Sequence, residues 1–377
     1  MVCDETELAL LALPPDMSCL VVETRTPVIT KDAAIIAAQY RIIRFKGCVM
    51  IEVHEPYAHF IPLTREHFTQ IAYRLLGWTR PSHMNSVFTH LSYTAQDLSA
   101  NDHLLLLGNL ADTKADLTVW DMDRLEVRSD VLPQDCVRRS PYSMKRHGSE
   151  PVQFIMQLAG GDQGVYDDIM QSLAPLVMAK KPEGIIWWIG DDVNGKSVLM
   201  DALYHIFPDQ LASITNKRLA GGRVTRYLNG NLGNVVDSDS GQVEDVHIYR
   251  SLAKHQSFNI HQYHSQNGLE IQGNIHHIFS AHKAPRFSRK SWSTHWRTFT
   301  VPFSQKIEGN PTRTLADEFF GQLIAEMCSY ANRIKLQGYR YEWSATTLNT
   351  KDDNRAIETS KSTTFSPLLS PKGEFIW

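Results

Sequence analysis

A glycine-containing loop carries the residues of this 377-residue sequence that are best suited to chemistry. In chain order the loop reads Gly190, Asp191, Asp192, Val193, Asn194, Gly195, Lys196 and Ser197. The glycines let the backbone wrap closely around phosphate oxygens, the lysine neutralises phosphate charge, and the serine hydroxyl reaches Mg²⁺. Residues 190–197, the glycine loop, therefore predict a binding site for ATP and Mg²⁺ in which Lys196 also serves catalysis.

The elements on either side of the glycine loop are those that such a loop requires. The apolar run at 185–189 predicts a buried strand, and the segment at 197–204 predicts a helix. A strand, a glycine loop and a helix in this order point the helix N-terminus at a phosphate. This context favours nucleotide binding over a chance match to the pattern.

With Asn194 before its second glycine, the chain resembles superfamily 3 helicases of the phage and poxvirus primase-helicase type. Further motifs of that family follow in order, and the resemblance covers residues 151–303. It implies an AAA+ type P-loop ATPase core of α/β class with a mostly parallel sheet, preceded by a small helical segment. Many relatives carry a primase domain, but the residues before 150 contain no paired metal-binding acids that would support priming.

The same resemblance implies roles for further residues. A short strand ending in Asp237 and Asp239 is similar to the Walker B element, and either acid could hold Mg²⁺; we expect Asp239, with Ser197, as metal ligand. His282 stands where the family's sensor strand ends in asparagine, and an imidazole there can hydrogen-bond the γ-phosphate or the attacking water. Arg297 corresponds to the arginine finger that enters a neighbouring subunit's ATP site.

A β-hairpin is predicted between the Walker B segment and the sensor strand. Two alternating runs, at 258–264 and 269–272, flank a segment that ends in Asn-Gly, which favours tight hairpin turns. In the family a hairpin here follows single-stranded DNA through the channel of a hexamer. Lys254, His261 and His264 are the candidate DNA contacts, with a purely structural hairpin as the alternative.

Sequence periodicity also predicts elements outside this core. Alternation predicts strands at 40–45 and 48–53, and helical spacing predicts helices at 64–76, at 151–178 with a break at 160–162, and at 315–334. The expected divisions are a lead-in at 1–30, an α+β module at 31–148, a helical segment at 149–183, the ATPase core at 184–337 and a polar tail at 338–377. The role of the α+β module is left open.

Composition excludes several classes of protein. A formal net charge of -3 provides no overall positive field for nucleic acid, so any DNA contact must be local. The five cysteines form no CxxC pair, which argues against a zinc ribbon or a disulfide framework. No apolar run approaches the roughly 18 residues of a membrane span, so we expect no membrane partner and a place in the cytoplasm of an infected or element-carrying cell.

These observations predict an ATP-dependent DNA helicase that translocates on single-stranded DNA during replication of a phage or mobile element. The expected partners are single-stranded DNA, further copies of the chain in a hexameric ring, and other replication proteins. One alternative is an ATP-binding replication initiator or assembly protein with little hydrolysis. A second alternative is a P-loop phosphotransferase, which would require a lid and an acceptor pocket.

Overall fold

Two compact units make up the described part of the chain. The computed structural model describes residues 28–54, 57–77, 80–110, 117–145, 148–191, 194–220, 228, 231–243, 245–260, 269–271, 274–287, 297–305, 315–344 and 348–349, with backbone only at 220, 258–260, 269–271 and 348–349. The first unit comprises the described residues up to Asp121 and Val127–Ser143. The second comprises Met122–Glu126 and the described residues from Met144 onward.

The first unit is an α+β structure whose strands form two sheets. Its elements are α1 (Val28–Gln39), β1 (Ile42–Phe45), β2 (Cys48–Val53), β3 (His59–Pro62), α2 (Arg65–Leu76), α3 (Pro81–Thr94), β4 (Gln96–Asp97), β5 (Leu104–Leu107), β6 (Thr118–Asp121), β7 (Glu126–Arg128) and β8 (Arg138–Ser140). The strand orders are β3-β2-β1-β4 and β7-β6-β5-β8. The helices and the first sheet share a core that includes Ile36, Ile51 and Phe68.

Local sequence signals account for much of this unit. Strands β1 and β2 pair antiparallel across Lys46 and Gly47, which both have positive φ, as a two-residue hairpin turn requires. Helix α2 begins after Thr64, whose hydroxyl accepts a hydrogen bond from the His67 backbone N–H at 3.1 Å. It ends at Gly77, which adopts the left-handed conformation.

The second unit has the alternating strands and helices of an α/β fold. Its elements are α4 (Ser149–Leu158), α5 (Gln163–Leu173), β9 (Ile185–Ile189), α6 (Lys196–Ile206), β10 (Leu211–Ala212), α7 (Asn216–Ala220), β11 (Gly233–Val236), α8 (Val246–Ala253), β12 (Phe258–Ile260), β13 (Leu269–Ile271), β14 (His276–Ala281), β15 (Thr298–Pro302), α9 (Asp317–Leu336) and β16 (Leu348–Asn349). The main sheet has the order β10-β11-β14-β9-β15-β16, and its first five strands run parallel. The predicted α/β class with a mostly parallel sheet is therefore confirmed.

Adjacent tryptophans in β9 show that this sheet is covered on both faces. Trp187 is fully buried, stacks on Phe279 and donates its indole N–H to the Tyr249 hydroxyl at 2.8 Å. Trp188 points to the opposite face and donates to the Ser172 hydroxyl at 3.0 Å. Because both faces of the sheet are buried, the central strand is apolar at every position instead of alternating apolar and polar residues. Each buried indole N–H still has a hydrogen-bond acceptor.

Helix α9 packs its apolar face against the helices that precede the sheet. Phe319 meets Phe154 of α4 edge to face, with ring centroids 5.6 Å apart. Acidic residues begin the helix and basic residues end it, which complements the helix dipole. Within the described ranges, no helix is long and apolar enough to cross a membrane.

The sequence-based elements agree with the structure where local patterns were clear. The predicted strands at β1 and β2 are confirmed, as are helix α2, the two helices α4 and α5 with their break at 160–162, and helix α9. Helices α1 and α3 were not predicted. Helix α3 begins at Pro81 and buries Met84, Val87 and Leu91, a spacing that could have revealed it.

Helix α5 depends on a side-chain cap at its start. The Asp162 carboxylate accepts hydrogen bonds from the backbone N–H groups of Gly164 and Val165 at 2.7 and 3.1 Å. We expect Asp162→Ala to lower the free energy of unfolding by about 1 kcal/mol. Asp162→Asn keeps an accepting oxygen and should lower the free energy of unfolding by only a few tenths of this amount. Equal losses of stability in urea titrations of the two variants would contradict the capping role.

Candidate active site

The glycine loop lies at the carboxyl edge of the parallel sheet, between β9 and α6. In open α/β sheets this edge is where ligands bind. Gly195, immediately before α6, has φ 79, a conformation that glycine adopts without strain. The backbone N–H groups in the first turn of α6, like those of any helix, have no acceptor within the helix. Asp192 and Val193 lie outside the described residues.

Lys196 is held inside the glycine loop. Its ammonium group donates to the carbonyl oxygens of Gly190 and Asp191 at 2.6 and 2.9 Å, and to the Asn194 side-chain oxygen at 3.0 Å. The residue is only 6% exposed. All three of these acceptors are neutral oxygens of the glycine loop itself, so the loop holds the ammonium group in place.

Ser197 and Asp237 meet across the sheet edge. The Ser197 hydroxyl donates to an Asp237 carboxylate oxygen at 2.7 Å, although the residues are 40 positions apart. Asp237 follows β11 directly, and both side chains are exposed. Two oxygen-bearing groups at this separation, facing solvent beside a lysine, are suited to a hard cation such as Mg²⁺.

Asp239 has a different environment from Asp237. It is 5% exposed, and its carboxylate accepts hydrogen bonds from the backbone N–H groups of Asn216 and Gly241 at 2.8 and 3.0 Å. Both carboxylate oxygens are thus engaged in fixing the loops that follow β10 and β11. The acid that forms a hydrogen bond with Ser197 is thus Asp237, whereas the carboxylate of Asp239, the expected metal partner of Ser197, accepts from backbone N–H groups.

His282 lies at the same edge as the glycine loop. It follows Ala281, the last residue of β14, and Ala281 pairs in register with Ile189 at the end of β9. The Gly190 backbone N–H donates to the Ala281 carbonyl at 3.2 Å, which joins the loop to the end of β14. His282 is exposed, and its backbone lies at the same edge of the sheet as the loop.

Arg297 lies at the opposite, amino edge of the sheet. It precedes β15, whose first residue, Thr298, pairs with Ile185 at the start of β9. Its guanidinium forms an ion pair with Glu183. Within one chain, Arg297 is therefore separated from the glycine loop by the length of β9.

The predicted hairpin is confirmed at its base. Strands β12 and β13 pair antiparallel from Phe258↔Ile271 to Ile260↔Leu269. His261 and His264 lie outside the described residues. Lys254 caps the end of α8 and is half-buried. The next residue, His255, forms a hydrogen bond with the Pro182 carbonyl at 2.7 Å, just before β9, so Lys254 is at the amino edge and away from the glycine loop.

His276 and His277 are core residues on opposite faces of β14. A ring nitrogen of His276 lies 2.6 Å from the Ser172 carbonyl oxygen, and His277 lies parallel to the ring of Phe279. Burial, reinforced by the nearby Lys181 ammonium, holds the pKa of His276 well below its ordinary value. Burial lowers the pKa of His277 to about 3. In the described part of the chain no three or more His, Cys, Asp or Glu side chains form a group that could hold a metal ion.

Sequence reasoning missed the contacts that hold the site together through the backbone. Asn216 supplies a backbone N–H to Asp239, and the carbonyl of Phe303 accepts from the Asn194 side chain at 2.9 Å. Each of these contacts joins residues that are more than 20 positions apart. A backbone group carries no residue-type signal, so no motif could have identified them.

The residues present fit a nucleotide with Mg²⁺. A Cβ atom on Gly190 would lie 2.2 Å from the Phe303 carbonyl oxygen, so the loop tolerates no side chain there. The lysine ammonium, the open helix N-terminus and the Ser197–Asp237 pair supply a cation, N–H donors and hard oxygen ligands on one edge. These are the groups that a polyphosphate and its metal require.

The five parallel strands and their helices define an α/β protein. No protein-family model and no curated protein matches the chain. Three solved apo structures of the C-terminal region of NrS-1 are similar, at 11 to 12% identity and TM-scores of 0.43 to 0.44, covering 89% of this chain and 75% of that chain. A likeness at this level indicates no function, and the fold class rests on the sheet itself.

Proposed function

We propose that this protein is an ATP-dependent helicase that translocates along single-stranded DNA in the replication of a phage or mobile element. It would act in the host cytoplasm as a homo-oligomeric ring, with six subunits as the expected number and other replication proteins as possible partners. The observation that carries the proposal is the 2.7 Å hydrogen bond between Ser197 and Asp237, beside a lysine held in a glycine loop.

Three side chains would bind and orient the triphosphate. Lys196 exchanges its loop carbonyls for phosphate oxygens and neutralises their charge, while N–H groups at the start of α6 bind the same oxygens. Ser197 and Asp237 supply oxygen ligands beside them. Mg²⁺, when bound there, neutralises charge on the phosphates. In hydrolysis, water attacks the γ-phosphorus as the bond to the bridging oxygen breaks, giving ADP and phosphate.

His282 is the proposed contact for the γ-phosphate or the attacking water. Its exposed position after β14, beside the loop, supports this role. A neutral imidazole has one donor and one acceptor nitrogen, so it can receive a hydrogen bond from water or donate one to phosphate. Neither function requires a charged ring.

The ring and the DNA contact are supported by features at the amino edge. Arg297 cannot serve the loop of its own chain from that edge, but an arginine finger acts on a neighbouring subunit. Ion pairing with Glu183 holds it in place in the single chain. The hairpin of β12 and β13, inserted between β11 and β14, is the proposed DNA-contacting element, with Lys254, His261 and His264 as its contacts.

A second candidate is an ATP-binding initiator or assembly protein with weak hydrolysis. Two observations favour it: Asp239, the second acid after β11, is committed to backbone N–H groups, and a histidine stands at the end of β14. Asp237 is then the one exposed acid of this pair beside Ser197, so the site has fewer groups that could activate water than it would have with both acids. Nucleotide binding would persist under either candidate.

Steady-state ATP hydrolysis with and without single-stranded DNA separates these candidates. We expect hydrolysis that DNA accelerates several-fold and that Arg297→Ala abolishes, because the arginine would complete a neighbour's site. Lys335→Ala, which changes an exposed basic residue of α9, is the matched control and should leave the rate unchanged. Nucleotide binding without turnover would favour the assembly protein, and DNA-independent turnover by a monomer would contradict the helicase.

A further inference from the structure

The side-chain amide of Asn194 links the glycine loop to strand β15. Asn194 is 4% exposed. Its amide nitrogen donates to the Phe303 carbonyl at 2.9 Å, and its amide oxygen accepts from the Lys196 ammonium at 3.0 Å. The same oxygen lies 3.4 Å from the Lys196 backbone nitrogen. One planar group thus serves as donor on one side and acceptor on the other.

Phe303 is itself fixed to the strand that enters the loop. Its backbone N–H donates to the Ile189 carbonyl at 2.7 Å, which continues the β9–β15 pairing by one further bond. A Cβ atom on Gly190 would come within 2.3 Å of the Asn194 amide nitrogen. The start of the loop, Asn194 and the residue after β15 are therefore in close contact.

Asn194 differs in kind from the two backbone carbonyls that also accept hydrogen bonds from Lys196. An ammonium group has three N–H donors. Two of the acceptors described above are backbone carbonyls, which any sequence would provide, and the third is the Asn194 side chain. Among these three acceptors, only the third depends on the residue type.

We infer that Asn194 is a positioning residue, whose amide holds the Lys196 ammonium at the loop and ties the loop to the end of β15. This inference rests on the proposed nucleotide site. An amide suits the position because it donates and accepts at once. A carboxylate would face the Phe303 carbonyl oxygen without a donor and would compete with phosphate for the lysine, and a methyl group would do neither task.

The test compares Asn194→Ala and Asn194→Asp with a matched control, Asn234→Ala. Asn234 is also buried, and its amide forms two hydrogen bonds with the backbone of Ile214 at 2.8 and 2.9 Å, without touching the loop. Binding of a fluorescent ATP analogue with Mg²⁺ is measured for each variant, together with the melting temperature. Both Asn194 variants should bind the analogue about tenfold more weakly than the natural protein does. The hydrogen bonds that they lose account for roughly a tenfold change in affinity. Asn234→Ala should melt earlier yet bind normally once corrected for folded protein.

A nucleotide-free measurement separates this inference from the proposed function. Amide hydrogen exchange of peptides covering residues 189–199 should accelerate in Asn194→Ala and stay unchanged in Asn234→Ala, whether or not the protein hydrolyses ATP. If exchange and affinity are unaffected in the Asn194 variants, or if Asn234→Ala alters both equally, the positioning role is overturned. If exchange responds as expected but the natural protein shows no ATPase activity, the helicase proposal fails and the role of Asn194 stands.

Discussion

Asp237→Asn should lower the rate of ATP hydrolysis at least about a hundredfold, a loss typical of removing one group that stabilises transition-state charge. The substitution removes the negative charge beside Ser197 but keeps a side chain of the same shape. Because Asp237 is exposed, the melting temperature should change little. The measurement is hydrolysis at saturating ATP and Mg²⁺, with a melting curve for each protein.

Asp239→Asn is the matched control, and the opposite pattern is expected. An amide nitrogen in place of one carboxylate oxygen leaves a backbone N–H of Asn216 or Gly241 without its acceptor, which should cost about 1–3 kcal/mol of stability. Folded Asp239→Asn should keep most of its activity. If Asp239→Asn abolished turnover while Asp237→Asn did not, the choice of acid would be reversed.

Acid should destabilise the second unit through the two histidines of β14. Burial lowers the pKa of His277 from 6.5 to about 3, and that of His276 well below 6.5. The unfolded chain therefore binds more protons than the folded chain below pH 6.5. The free energy of unfolding is highest above that pH and falls as the pH decreases below it. For His277 the loss is about 2 kcal/mol between pH 7 and pH 5, and protonation of His276 adds a loss in the same direction.

His277→Leu tests the source of this acid sensitivity. Within the described residues, neither ring nitrogen of His277 has a hydrogen-bond partner, so leucine removes a costly buried group. The variant should be at least as stable as the natural protein at pH 7 and should lose less stability than the natural protein on going to pH 5. Urea titrations at the two pH values provide the comparison. An unchanged pH dependence would show that other groups cause the acid sensitivity.

The sequence predicts best those parts of the site that are continuous in the chain. The run at 185–189, the glycine loop and α6 are neighbours in sequence, so periodicity and the loop pattern identify them together. The hairpin was also predicted, because Asn-Gly is a local turn signal and β12 and β13 lie on either side of it. The mostly parallel sheet was expected because the resemblance to superfamily 3 helicases implies it.

Pairing across the sheet could not be predicted in the same way. Asp237 and Asp239 lie on the same short segment and have the same chemistry, and the difference between them arises from contacts with Ser197 and Asn216. These contacts depend on strand order and on where each loop turns. The buried state of His276 and His277 likewise follows from the central position of β14, and the sequence showed only that they lie on a strand.

Strand β15 joins the two edges of the sheet. Arg297 precedes its first residue, and Phe303, the acceptor of the Asn194 amide, follows its last. Its five residues span about 17 Å of extended chain, and every one of them pairs with β9. Sliding β15 along β9 would break several hydrogen bonds at once, because the strand is paired along its whole length. One paired strand therefore connects Phe303, at the proposed nucleotide loop, with Arg297, at the edge that would face a neighbouring subunit in the proposed ring.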